Sequence, residues 1–242
     1  MERFAEAIDE RTALVCCTTV SYRTGHRHPV AEIARLAHDA GALCLADSYQ
    51  AVGAVDFDAR AWDVDFVTGG TVKYLLASSG LGFLYVRREL LGKLLPTQTG
   101  WFADEDIFQM DISDYSPAAD ARRFDAGTPP VPNIFAGLAG MSIVEEAGTA
   151  AIEEHVAGLA DRLIDGAVEL GARVVTPRGA RSPLVCIAST DVNALVAALA
   201  EERITCSERD GNLRVSLHLY NVEDDVDRLL GALRENRSLL AY

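Results

Sequence analysis

Apolar residues along this chain fall into short unbroken runs and longer stretches at helical spacing, and the two kinds alternate. Ala13-Leu14-Val15-Cys16-Cys17, continuing to Thr18, and Ala42-Leu43-Cys44-Leu45-Ala46 are unbroken and predict buried strands. Between them, Val30, Ile33, Ala34 and Ala37 line one face of a helix that opens after Pro29 and stops at Gly41. Strand, helix and strand over this length predict a βαβ unit with a right-handed crossover. Asp65–Thr68 and Gly82–Val86 predict two further strands, Arg87–Leu95 a short helix, and residues 2–10 a short amphipathic helix. Gln50–Gly53 reads as a turn or the opening of a short helix.

The grain changes in the second half. Phe135, Leu138, Met141, Ile143 and Val144 form a helical pattern that starts at Asn133 and breaks at Gly148. Ala150–Leu170 forms another, stopped by Gly171. Short predicted strands follow at Val174-Val175, Leu184–Ala188, Ile204–Cys206 and Leu213–Leu217, interleaved with helices at Asp191–Glu201 and Val222–Leu233. This interleaving predicts a small C-terminal α+β domain, with residues 1–148 forming a larger α/β domain and 149–242 the smaller one. Residues 97–117 are polar, aromatic and irregular, and read as a connecting loop.

Two residues stand out chemically. The run Ala42–Ala46 ends in Asp47, and a carboxylate at the carboxyl end of a parallel strand lies on the edge where open α/β sheets bind ligands. Lys73, the only lysine before Gly92, follows the next strand and the pair Gly69-Gly70. An amine and a carboxylate so placed are what a pyridoxal phosphate enzyme requires. The amine forms the Schiff base, and the carboxylate keeps the ring nitrogen protonated so that the ring acts as an electron sink.

Around these residues the chain resembles the class V aminotransferase family of fold-type I pyridoxal phosphate enzymes, which includes cysteine desulfurases and kynureninases. The resemblance rests on Ser21-Tyr22-Arg23-Thr24-Gly25, Asp47–Gly53, Val72-Lys73-Tyr74-Leu75, Arg123–Pro129 and Leu213-Arg214-Val215-Ser216, in that order. It implies a mostly parallel large-domain sheet and pyridoxal 5'-phosphate as cofactor. It also implies an amino acid substrate and a homodimer, or a partner chain supplying an N-terminal segment with the main phosphate-binding loop. In this chain that segment has no counterpart, which leaves an inactive remnant or a split enzyme as alternatives. Lys73 becomes the catalytic, Schiff-base lysine; Asp47, Gln50 and Thr128 become cofactor contacts, with Thr128 reaching a neighbouring protomer's phosphate. Arg214 becomes the fork that binds the substrate carboxylate. Val72 and Thr19 stand where many members carry histidines, which leaves open the choice between transamination and the lyase chemistry of desulfurases and kynureninases.

Composition narrows the rest. A chain of 242 residues, 49% apolar and 24% charged, is long enough for a real core. A net charge of −14 argues against nucleic acid or an anionic membrane as partner, and no apolar run is long enough to span a membrane. Cys16, Cys17, Cys44, Cys186 and Cys206 all fall in expected strands and form no Cys-x-x-Cys pair, so they read as small core residues in a reducing cytoplasm. His26 and His28 lack a third ligand for a metal. Cys206, flanked by Thr205 and Ser207, suits a strand better than the mobile loop of a desulfurase nucleophile. Gly80-Leu81-Gly82 and Gly92-Lys93 lack the further glycines of nucleotide loops.

Overall fold

The computed structural model describes all of residues 1–242. The chain divides into two compact units. The first gathers Met1–Cys17, Pro29–Ser48 and Asp58–Gly140; the second gathers Thr18–His28, Tyr49–Phe57 and Met141–Tyr242.

The first unit is built on a four-stranded sheet in the order β1 (Leu14–Thr18), β2 (Leu43–Asp47), β3 (Phe66–Gly70) and β4 (Gly82–Val86). Strands β2 and β3 are parallel, with Asp47 opposite Thr68, whereas β3 and β4 are antiparallel, with Gly70 opposite Gly82. Helix α1 spans Glu2–Ala7 and α2 spans Val30–Asp39. The face of α2 made by Val30, Ile33, Ala34 and Ala37 is buried as its spacing predicts. Gly41 ends the helix with φ +81°, a left-handed conformation that suits glycine, and its amide donates to the His38 carbonyl. Gly69 is required for a different reason: a Cβ there would press on the Phe83 ring across the strand pair.

Polar groups tie the sheet to α2. Buried Asp65, just before β3, accepts from the Cys44 amide at 2.8 Å and from His38 Nε2 at 2.8 Å, and pairs with Arg87 at 3.2 Å. Helix α3 is a single turn, Arg88–Leu91, shorter than its apolar pattern suggests. Its Leu90 and Leu91 pack with Val86, while Leu95 is 76% exposed. The carbonyls of Leu91 and Leu94 are taken by the buried guanidinium of Arg123, which replaces the bonds a longer helix would make.

Helix α4 covers Val131–Ala147, starting before Asn133; Val131–Gly140 falls in the first unit and Met141–Ala147 in the second. Of the apolar residues in its helical pattern, Val144 is buried, whereas Phe135 and Leu138 lie outward at 69% and 56% exposed. Its inward contact is Gly140, where a Cβ would collide with the Leu75 carbonyl.

In the second unit, α5 (Thr149–Glu169) and α7 (Glu223–Glu235) pack through Val156, Leu159, Leu163, Val226, Leu229 and Leu233. Arg162 on α5 bridges Asp227 on α7 through two bonds of 2.8 and 2.7 Å. The sheet is antiparallel, in the order β5 (Leu184–Ala188), β7 (Asn212–Ser216) and β6 (Ser207–Arg209), with α6 spanning Val192–Glu201. Two strand expectations are corrected here. Val174-Val175 makes only an isolated bridge, Val174 to Ile187, and β6 begins at Ser207 rather than covering Ile204–Cys206. Asp210 and Gly211 both have positive φ, +57° and +75°, giving the two-residue hairpin turn whose twist matches its strands. That turn pairs Arg209 with Asn212, leaving residues 204–206 outside the ladder. Residues 18–28 form a second, smaller hairpin, bridged between Val20 and Arg27.

Glu153 is the polar centre of this unit. It is 9% exposed, accepts from Arg27 at 2.8 Å and Arg181 at 3.0 Å through Oε1, and from the Asp56 amide at 2.7 Å through Oε2. Burial alone would raise its pKa, but these donors outweigh it and hold the carboxyl below its ordinary value. A depressed carboxylate contributes stability above its unfolded-state pKa, and loses it as pH falls through the folded one. Glu153→Gln is therefore expected to lower stability by about 1–3 kcal/mol at pH 7. It should also flatten the loss of stability between neutral and acid pH, checked by urea unfolding at several pH values. An acid dependence equal to the parent's would refute the assignment.

Candidate active site

The parallel pairing of β2 and β3 brings their carboxyl ends to one edge of the first unit's sheet. Asp47 is the last residue of β2, and the Ser48 amide beyond it donates to the Thr68 carbonyl at 2.9 Å. Lys73 lies in the turn immediately after β3, on the same edge. Both side chains are half-buried. A carboxylate that ends one strand and an amine that follows its parallel neighbour thus lie on the same edge of the sheet.

The turn bearing Lys73 is closely held. The Leu76 amide donates to the Lys73 carbonyl at 3.1 Å, the Ala77 amide to Thr71 at 2.9 Å, and the Thr71 amide to Leu81 at 3.1 Å. Leu76 has φ +59°, a strained conformation for a γ-branched residue, and Gly140 packs on the Leu75 carbonyl. Asn133 of α4 donates to the Ser79 carbonyl. Thr71 is 3% exposed, and its hydroxyl lies 3.4 Å from the Ser78 carbonyl and 3.3 Å from that of Leu81, a structural use of the group.

Thr128 sits on an exposed turn elsewhere in this unit. The turn is anchored from behind. Arg122 donates to the carbonyls of Phe102 (2.7 Å) and Asp104 (2.6 Å), Arg123 to Ala118 at 2.7 Å, and Gly100 packs so tightly on Ala126 that a Cβ would overlap its carbonyl. Gln50 and Arg214 belong to the second unit. Gln50 is half-buried in a turn beside the packed cluster of Val20, Ala51, Val55 and Leu184. Arg214 lies on β7, with Nε donating to Ser207 Oγ at 3.2 Å and Nη1 to the Tyr22 carbonyl at 3.3 Å.

The family model for class-V aminotransferases matches residues 1–229. The chain belongs to the class-V aminotransferase family. It is similar to an uncharacterized aminotransferase of Bacillus subtilis, YcbU, at 31% identity over 93% of this chain and 60% of that protein. It is also similar to the kynureninase of Pseudomonas fluorescens, at 30% identity over 68% of this chain and 39% of that protein. Among solved structures, the apo cysteine desulfurase of Thermococcus onnurineus superposes with a TM-score of 0.88 at 25% identity, covering 97% of this chain and 62% of that one. The fold is thus the fold-type I architecture of this family. The chain spans about three fifths of the length of YcbU and of the desulfurase structure.

The residues that support Arg214 escape a reading by motif. Ser207 has a signal, because Asp210-Gly211 is a strong two-residue hairpin turn and fixes Ser207 opposite Arg214. The contribution of Tyr22 is a backbone carbonyl, which sequence does not reveal.

The cysteines also differ from their expected uniformity. Cys16 is exposed on β1, and Cys206 precedes β6 rather than lying within a strand. Cys17 and Cys44 are buried together in the first unit. The hydrogen bond between their thiols, burial, and the nearby charge of Asp47 push the Cys17 pKa up. Burial raises Cys186 and pushes Cys206 up to about 11. Because Cys16 is exposed while Cys17, Cys44 and Cys186 are buried, iodoacetamide at pH 8 is expected to label Cys16 first and leave the other three protected in the folded chain. Peptide mass mapping checks this, and early labelling of Cys17 would overturn the placement.

Proposed function

We propose that this chain carries the cofactor- and substrate-binding residues of a pyridoxal 5'-phosphate-dependent enzyme of the class-V aminotransferase family acting on an α-amino acid. The reading is supported above all by Asp47 and Lys73 on the common edge of β2 and β3. This donor set fits the group: a carboxylate for a protonated ring nitrogen, and a primary amine for an aldehyde. When bound, pyridoxal phosphate supplies the electron sink that stabilises negative charge at the substrate α-carbon. Asp47 would hold the ring nitrogen, Lys73 would hold the cofactor through its amine and would be the base for the proton at the substrate α-carbon, and Gln50 would donate to the ring oxygen. Arg214 binds the substrate carboxylate as a planar fork.

The second reading is a lyase of the cysteine desulfurase or kynureninase kind, favoured by the names of relatives and structural neighbours. Cys206, with burial raising it to about 11, is poorly suited as a desulfurase's sulfur acceptor. We also place the protein in the cytoplasm, since its five cysteines are free thiols; no helix is long and apolar enough to cross a membrane. The assembly proposed is a homodimer in which Thr128 reaches the neighbouring protomer's phosphate, or a complex with a chain supplying the segment that relatives carry beyond this match.

Adding pyridoxal phosphate to the purified chain is expected to give a visible absorbance band that borohydride removes. Lys73→Ala should abolish the band, and Asp47→Asn should weaken cofactor affinity by about tenfold or more, the scale of one charge-assisted bond. Absence of the band in a folded parent would overturn cofactor binding by these residues of the chain.

A further inference from the structure

We infer that Ser207 is a positioning residue: together with the main-chain carbonyl of Tyr22, it fixes the plane of the Arg214 guanidinium for a substrate carboxylate. The inference rests on the reading of Arg214 given above. An arginine side chain has many rotamers, and a fork recognises a planar anion well only if its own plane is set beforehand. Here the two anchors act at different nitrogens of the planar group, Ser207 Oγ accepting from Nε at 3.2 Å and the Tyr22 carbonyl from Nη1 at 3.3 Å. Both anchors are neutral oxygens. Neither brings a charge of its own to the guanidinium.

Each anchor is itself secured. Ser207 is placed opposite Arg214 by the register of β6 and β7, which the Asp210-Gly211 turn determines; a slip by one residue would turn the hydroxyl to the other face. The Tyr22 carbonyl belongs to the hairpin of residues 18–28. That hairpin is pinned by an Arg23–Asp210 ion pair of 2.7 Å and by a 2.7 Å bond from the Thr176 hydroxyl to the Thr24 carbonyl. It is further seated by Gly25, where a Cβ would collide with the Leu184 carbonyl. Asp210 therefore serves both anchors, through the turn that sets one and the ion pair that holds the other.

The test is nitrogen-15 NMR of the arginine Nε–H groups in the full chain, titrated with acetate and with L-alanine. The Arg214 signal is identified by its loss in Arg214→Lys, and carboxylate binding by every variant is read separately from line broadening of the ligand's own proton signals. In the parent it should exchange slowly with solvent and shift as the carboxylate is added. Ser207→Ala is expected to speed its exchange and weaken carboxylate binding about five- to tenfold, the scale of one hydrogen bond to a charged group. Ser207→Thr should restore both, with urea midpoints of all variants alike. If Ser207→Ala leaves exchange and affinity unchanged while Arg214→Lys abolishes binding, the positioning role is overturned and the role of Arg214 stands. If Arg214→Lys binds carboxylate as the parent does, the reading of Arg214 fails and the inference fails with it.

Discussion

The parallel pairing of β2 with β3 is the constraint on which the candidate site of the first unit depends. Two strands running the same way deliver their carboxyl ends to one edge, so a residue that ends one strand and a residue that follows the other become neighbours in space. Asp47 opposite Thr68 is that alignment. The chain then reverses into antiparallel β4 instead of crossing over again, so Lys73 is confined to a short connection. The left-handed Leu76 and the Gly140 contact show how firmly this connection is determined. Backbone strain of this kind persists only where the surroundings impose it, and it is found disproportionately at functional sites.

In the first unit Arg87 pairs with buried Asp65, but Arg122 and Arg123 satisfy backbone rather than carboxylates. Arg122 and Arg123 donate to the carbonyls of Phe102, Asp104, Ala118 and Leu94, drawing loop residues around a stretch with little regular structure. Irregular backbone leaves carbonyls unpaired by neighbours, and a buried unpaired carbonyl is costly. A guanidinium with five donors answers several at once. The second unit does the reverse: a buried carboxylate, Glu153, collects donors from Arg27, Arg181 and the Asp56 amide. In both units one multivalent ion organises segments distant in sequence.

This division explains what the sequence made legible. Strand ends, the α2 face and the positions of Asp47 and Lys73 depend on local pattern, and local pattern shows them. The shortened α3 depends on Arg123, about thirty residues away, taking its carbonyls. The outward apolar face of α4 reflects packing by Gly140 and by Asn133, neither of which carries a hydrophobic signal. The assignment of residues 18–28 and 49–57 to the second unit has no local cause at all; it follows from Thr24, Asp56 and Arg27 bonding to residues more than ninety positions later. The placement of β6 has another origin: the Asp210-Gly211 turn sets the register and leaves the apolar Ile204–Cys206 outside the ladder.

The two departures from the family pattern acquire a physical meaning here. Thr19, at the place where several members stack a histidine on the ring, is fully buried, and its carbonyl accepts from the His28 amide at 2.9 Å. A ring at that position would have to displace packed neighbours, so the substitution is built into the hairpin rather than being a neutral surface change. Val72, by contrast, is 39% exposed, and its surroundings would tolerate a larger polar group. Of the two positions, only Thr19 is fixed by close packing.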